Sequence, residues 1–253
     1  MSSPIWTQCG GRRNRVPYEG SAWRVVEAQH RISTRRLVDS DEEQALLEEL
    51  IEGTKPPVPP DCRGLHYLLF TPFRHPPLHR GSRFGTRQER SIFYASERIS
   101  TALAEVAYYR LLFLEGTAAP LELLVVELSA FQARLATADA VDLRAPPFDA
   151  WEAEISSPVS YAASQPLGSA MRAEGIELAR FRSARDPEGG TNLAVFSPAC
   201  FARKRPTVPE SWLSVATRRS VECRRLDYFE RRSFRFLREA FEVDGRLPAP
   251  ALG

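Results

Sequence analysis

Apolar residues recur along the chain with two periods. Ala45, Leu46, Leu47, Leu50 and Ile51, set among acids, follow a helical spacing that predicts a helix over 41–52, capped by Ser40 or Asp41. Pro56, Pro57, Pro59 and Pro60 then stop it. Leu103, Val106, Ala107, Arg110 and Leu111 predict a second helix to about residue 115, capped by Ser100 or Thr101, with Glu105 in its first turns. A third helix is predicted over 161–174. Apolar runs or alternation predict strands at 23–26, 65–70, 91–96, 121–128, 141–143, 176–182 and 193–196. The pair 176–182 and 193–196 is joined across the turn-rich Asp186-Pro187-Glu188-Gly189-Gly190. Residues 212–241 predict two or three more strands and a terminal helix, the alternation of Arg231, Arg232, Arg235 and Arg238 with Phe234 and Phe236 being that of a half-exposed strand. Residues 1–20 lack periodicity and read as a loose arm or docking segment. Residues 71–90, rich in proline and arginine, read as a long irregular connection of the kind that carries function. The fold class that follows is α+β: one domain over 21–253, with mixed, mainly antiparallel β-sheets and flanking helices.

Composition narrows the function without naming it. A hydrophobic share of 43% against 26% charged is that of a folding globular chain. Lys plus Arg at 34 against Asp plus Glu at 32 leaves +2, so bulk charge gives no ground for nucleic-acid binding. Only Lys55 and Lys204 are lysines; every other basic residue is arginine, a bias that a GC-rich genome produces without selection. The arginine fork nonetheless suits phosphate and carboxylate, so each arginine needs its context. Cys9, Cys62, Cys200 and Cys223 lie far apart and read as free thiols of a reducing compartment. No apolar segment follows the charged run 12–15, and the stretch 111–128 is broken by Glu115, Gly116, Pro120 and Glu122, so neither secretion nor a membrane span is expected and the expected location is the cytoplasm.

Nucleotide-binding loops, zinc-protease and serine-hydrolase signatures are all missing. His75 and His79 have helical metal-ligand spacing, but Pro76 and Pro77 between them forbid that helix, and no metal set is expected. More telling is an ordered series: Gly81-Ser82-Arg83-Phe84-Gly85, then Phe93-Tyr94-Ala95-Ser96, then Thr101-Ala102-Leu103-Ala104-Glu105-Val106. It extends upstream to Trp23-Arg24-Val25 and downstream to Arg182-Ser183-Ala184-Arg185 and Asn192-Leu193. This series resembles the core of the RES domain, named for its Arg, Glu and Ser, whose members resemble the ADP-ribosyltransferase fold and degrade NAD. The resemblance covers most of residues 20–250, with the insertion between Arg24 and Arg83 and the C-terminal strands fitting least securely.

What the resemblance implies is an NAD-consuming toxin that breaks the nicotinamide–ribose bond, by phosphorolysis to nicotinamide and ADP-ribose 1″-phosphate. NAD is then substrate, inorganic phosphate is cosubstrate, and no cofactor is held permanently. An Xre-like helix-turn-helix antitoxin is the implied partner, and the number of copies in the assembly stays open. Arg24, Arg83, Glu105 and Ser183 fall at the family's catalytic positions, and these with Tyr94 and Asn192 at its NAD-binding positions. A carboxylate such as Glu105 can hold ribose hydroxyls and oppose the charge of an oxocarbenium-like state. Arg24 and Arg83 can fork onto a pyrophosphate or an incoming phosphate, Ser183 can position ribose or carboxamide, and Tyr94 offers a ring and a hydroxyl. Taken singly, each has a plainer reading: Glu105 a solvated helix acid, Arg83 a loop arginine, Tyr94 a core ring and Ser183 a strand-end hydroxyl; Asn192 and Arg185 fit an amide and a second arginine beside a phosphate or a turn amide and a surface arginine equally well, and Arg74 fits the same cleft or a structural ion pair. Hydrolysis, transfer of ADP-ribose to a protein, and a noncatalytic nucleotide-binding module stay open as alternatives.

Overall fold

Between residues 124 and 142 no glycine or proline interrupts the chain. In the computed structural model, which describes residues 3–28, 38–119 and 121–250, this whole stretch is one strand of 19 residues. Pro120, named above as a break, lies outside the described residues. Eight strands form one sheet: β1 (Val16–Glu27), β2 (Phe93–Ser96), β3 (Leu124–Asp142), β4 (Leu178–Arg182), β5 (Thr191–Val195), β6 (Glu210–Ala216), β7 (Ser220–Arg225) and β8 (Ser233–Leu237). The order is β1-β2-β5-β4-β3-β6-β7-β8, and β1 pairs in addition with β3. Those first five strands therefore close into a ring, and β6 to β8 continue outward from it as an antiparallel extension. All pairs are antiparallel except β3 with β4.

The long β3 makes this possible because it offers two edges to different partners. Along one edge, residues 128–140 pair with β1. Along the other, residues 124–130 pair with β6 and residues 140–142 with β4. The sequence reading placed two separate strands at 121–128 and 141–143. They are the ends of one strand, whose middle alternates buried Phe131, Ala133 and Leu135 with more exposed Gln132 and Arg134. The small and polar residues there mask the alternation.

Among the described residues six α-helices accompany the sheet: α1 (Pro4–Gln8), α2 (Asp41–Thr54), α3 (Tyr67–Arg74), α4 (Ile99–Gly116), α5 (Glu152–Ile155) and α6 (Ser164–Ala173). Ser40 caps α2 by accepting a hydrogen bond from the Glu43 backbone N–H, as the sequence reading allowed. Residues 65–70, expected as a strand, instead enter α3. His66 caps its first turn through Nδ1, and Leu68, Leu69 and Phe73 bury one face. A short apolar run does not distinguish the two states, and here tertiary packing decides. The described part of 1–20 is no loose arm: Ile5 and Trp6 of α1 are buried in the same cluster as Leu167 and Met171 of α6, and β1 begins at Val16. The apolar content of Ile5 and Trp6 outweighs the glycines and arginines around them.

The core divides into three parts. One lies between α1, α6 and the sheet around Phe84, Phe148 and Phe181. A second gathers Phe93, Phe131, Leu193 and Val195 of the ring with Phe73 and Phe201. The third packs α4, through Leu103, Tyr108 and Leu111, onto Trp212 and Val221 of the extension and onto Phe241, which follows β8. All four cysteines are buried free thiols. Among the described residues no helix is long and apolar enough to cross a membrane.

Gly168 lets α6 approach the 81–85 turn backbone to backbone. A methyl group there would stand 1.9 Å from the Phe84 carbonyl oxygen. Gly168→Ala is expected to cost about 1–3 kcal/mol in urea unfolding, overpacking outweighing the better helix former. Gly53→Ala, with nothing within 4 Å, serves as the comparison and gains up to about 1 kcal/mol.

Candidate functional site

The closed ring places β5 between β2 and β4, with Asn192 in register with Ser96 on one side and Phe181 on the other. The Asn192 amide is thereby held from behind: its Oδ1 accepts a hydrogen bond from Ser96 Oγ at 2.6 Å. Its Nδ2 donates to Glu105 Oε1 at 2.5 Å. Ser183, one residue beyond β4, donates to the same Oε1 at 2.7 Å. The Ser183 oxygen in turn accepts the backbone N–H groups of Arg185 at 3.1 Å and Asp186 at 3.0 Å. One oxygen of the Glu105 carboxylate is thus fixed by two donors, and among the described residues no donor reaches Oε2.

A second clamp sets α4 against the β4–β5 turn. Asp186 Oδ2 accepts from Thr101 Oγ1 at 2.7 Å and from the Gly190 N–H at 3.2 Å, and pairs with Arg98 at 3.3 Å. Thr101, expected as a helix cap, uses its hydroxyl for this tertiary bond, and Arg98 stands at the N-cap. The spacing of Glu105 from Ser183 and Asn192 follows from this anchor.

Glu105 faces a cleft of about 310 Å³ that Arg24, Arg83, Tyr94 and Asn192 also line. Arg24, on β1, donates from Nη1 to the Tyr94 carbonyl at 2.6 Å and lies over the Phe93 ring at 4.8 Å. Burial pushes it down to about 10, so it keeps its charge at neutral pH. Arg83, 8% exposed, donates from Nη1 to the carbonyls of Ile155 at 3.1 Å and Ser157 at 2.8 Å, and lies over Tyr161 at 5.1 Å. Burial holds its guanidinium below the usual value, with Glu105 opposing that shift. Neither arginine has a carboxylate partner within salt-bridge distance among the described residues. The Tyr94 hydroxyl is shared with Ser82 Oγ at 3.0 Å and accepts the Phe84 N–H at 3.1 Å, so it braces the turn that carries Arg83.

The six sequence-derived candidates therefore gather around one point, but not in one role. Arg24, Arg83, Tyr94, Glu105 and Asn192 line the cleft, whereas Ser183 stands behind Glu105 with its hydroxyl already committed. Arg74 is elsewhere, paired with Glu52 at 2.6 Å. Sequence reasoning weighed Arg185 as a second arginine beside a phosphate without keeping it in the site, gave Ser82 no role and passed over Tyr109 and Tyr161; all four line the cleft. For Arg185 the sequence could not separate a cleft arginine from a surface one. The rings come from α4 and the segment before α6, with no motif to flag them.

A family comparison bears on this arrangement. The RES domain model matches residues 58–216, well over half of the chain. The chain belongs to the RES domain family. The match includes Arg83, Tyr94, Glu105, Ser183 and Asn192, while Arg24 and the strands β7 and β8 lie outside it. No curated protein matches the chain. Among solved structures, the crystal structure of the M. tuberculosis MbcT-MbcA toxin-antitoxin complex contains a chain similar at a TM-score of 0.45 and 14% identity, over 79% of this chain and 86% of that one.

Desolvation at the RES cleft pushes the Tyr94 hydroxyl up to about 12. A group whose folded value exceeds its unfolded value near 10 contributes stability that is complete below pH 10 and lost as the pH rises toward 12. Tyr94→Phe also strands the Phe84 N–H, at a cost of about 1–3 kcal/mol. The expected result in chemical unfolding is a full stability deficit for Y94F below pH 10 that shrinks between pH 10 and 12. A deficit independent of pH over that range would contradict it.

Proposed function

We propose that this RES-domain protein consumes NAD by breaking the nicotinamide–ribose bond, with inorganic phosphate as acceptor, giving nicotinamide and ADP-ribose 1″-phosphate. The observation that carries the reading is the carboxylate of Glu105, fixed through one oxygen by Ser183 and Asn192 and open at the other, in a cleft whose Arg24 and Arg83 lack carboxylate partners among the described residues. Family membership supports NAD as the substrate.

The chemistry assigns each side chain a task. In NAD the nicotinamide nitrogen is cationic, so the leaving group takes the bonding pair and departs neutral, while positive charge collects on the ribose. Glu105 Oε2 faces that charge and accepts from ribose hydroxyls. Ser183 and Asn192 hold the carboxylate in one orientation, so no reorganisation is needed as charge develops. Arg24 and Arg83 bind phosphoryl oxygens with charge-assisted bonds. A phosphate oxygen then forms the new bond at the ribose carbon. The cleft is of the size that holds the reacting half of a dinucleotide, the remainder extending outward. Under this reading the ring of strands is a variant of the ADP-ribosyltransferase fold, the protein works on the cytoplasmic NAD pool, and growth is protected by a cognate helix-turn-helix antitoxin.

Purified protein, freed of any bound partner, is expected to deplete NAD only when phosphate is present, with ADP-ribose 1″-phosphate seen by phosphorus NMR. NAD left intact at stoichiometric enzyme would sink the proposal, and ADP-ribose found on protein would replace phosphorolysis by transfer. Glu105→Gln keeps the shape and the acceptor oxygen held by Ser183 and Asn192, while removing the charge and turning the open oxygen into a donor. It is expected to lower kcat by about 10²–10³-fold with KM little changed. In cells, the same variant relieves growth arrest.

A further inference from the structure

Arg185 is the most confined cation of the cleft. Its side chain lines the cavity at 4% exposure, with the guanidinium 3.7 Å from the Tyr108 ring centroid. Nη2 donates to the Pro158 carbonyl at 2.8 Å, whereas Nη1 is buried and has no hydrogen-bond partner. No carboxylate stands within salt-bridge distance of it among the described residues. Arg83 is in the same condition nearby, and the two charges repel. Both are tied to one short stretch of chain, Arg83 to the carbonyls of Ile155 and Ser157, Arg185 to that of Pro158.

Carbonyl dipoles and ring faces compensate a buried guanidinium only in part, and an unmade bond to a buried N–H is costly. Two such groups side by side form an arrangement that an anion with several oxygens relieves. A tetrahedral phosphoryl group offers oxygens to both forks at once. We propose that Arg185 and Arg83 together form a binding site for a phosphoryl dianion, with Arg185 a specificity-determining residue of the cleft. The proposal deepens the functional reading above and rests on it only for the source of the phosphoryl group, either free inorganic phosphate or the diphosphate of NAD.

The test is thermal unfolding of the full chain in chloride buffer, then with inorganic phosphate or with ADP-ribose, at matched ionic strength. For the native protein, ligand at about ten times its half-saturating concentration is expected to raise Tm by about 3–6 °C. A rise with phosphate alone identifies the free anion; a rise with ADP-ribose only identifies the dinucleotide's own diphosphate. Arg185→Met is expected to abolish that rise. Arg185→Lys, which keeps the charge and loses the fork, reduces it to less than half and covers the case in which the methionine variant does not fold. Arg224→Gln, on the exposed face of β7, leaves it unchanged. A rise of native size in Arg185→Lys with both ligands, or no rise in the native protein with either, overturns the site. A purely structural Arg185 would lower Tm in chloride and leave the ligand-dependent rise intact. Because this readout needs no turnover, absence of NAD consumption would remove the enzymatic reading and leave the anion site standing.

Discussion

The pairing of β3 with β1 on one edge and with β4 on the other is the constraint on which the rest of the molecule hangs. It bends five strands into a ring and leaves β5 at the centre of it, buried along its whole length. From there Asn192 can reach a helix packed across the sheet. The same strand, at its other end, starts the extension of β6 to β8 on which α4 rests through Trp212 and Val221. Glu105 is therefore fixed from two directions, by the extension beneath its helix and by the ring beneath its carboxylate.

The Glu105 carboxylate is ordered by a chain of hydrogen bonds that runs from Ser96 through Asn192, and from the Arg185 and Asp186 amides through Ser183. Each supporting donor is neutral and each is satisfied, as buried polar groups require. Ser183 is fully used by this support. In the proposed reaction it would act through the orientation of Glu105 and not by touching substrate.

Around that carboxylate the balance of charge is positive: Arg24, Arg83 and Arg185 all line the cleft, and among the described residues none of them has a carboxylate within salt-bridge distance. Elsewhere arginines are neutralised, as Arg180 is by Glu97 and Asp142, or Arg238 by Glu115 and Glu242. An apolar residue at the cleft positions would avoid the desolvation cost. Under the anion site proposed above, a bound phosphoryl group would offset that desolvation cost, a trade of stability for binding.

Much of this was legible in the chain. Periodicity located α2, α4, α6 and most strands, because burial of one face imprints a spacing on the residues that form it. The ordered Arg83, Tyr94 and Glu105 carried the family resemblance. The unity of β3 and the helical state of residues 67–74 were not legible, since small or short apolar runs fit either state until a partner is present. Arg185 was legible only as two equal readings, a second arginine beside a phosphate or a surface arginine. A residue's own chemistry is local and written in its identity, so the chain alone determined which groups were available. Burial, register and the absence of a counter-charge depend on what other segments bring alongside, and those only the closed ring and the packed α4 decided.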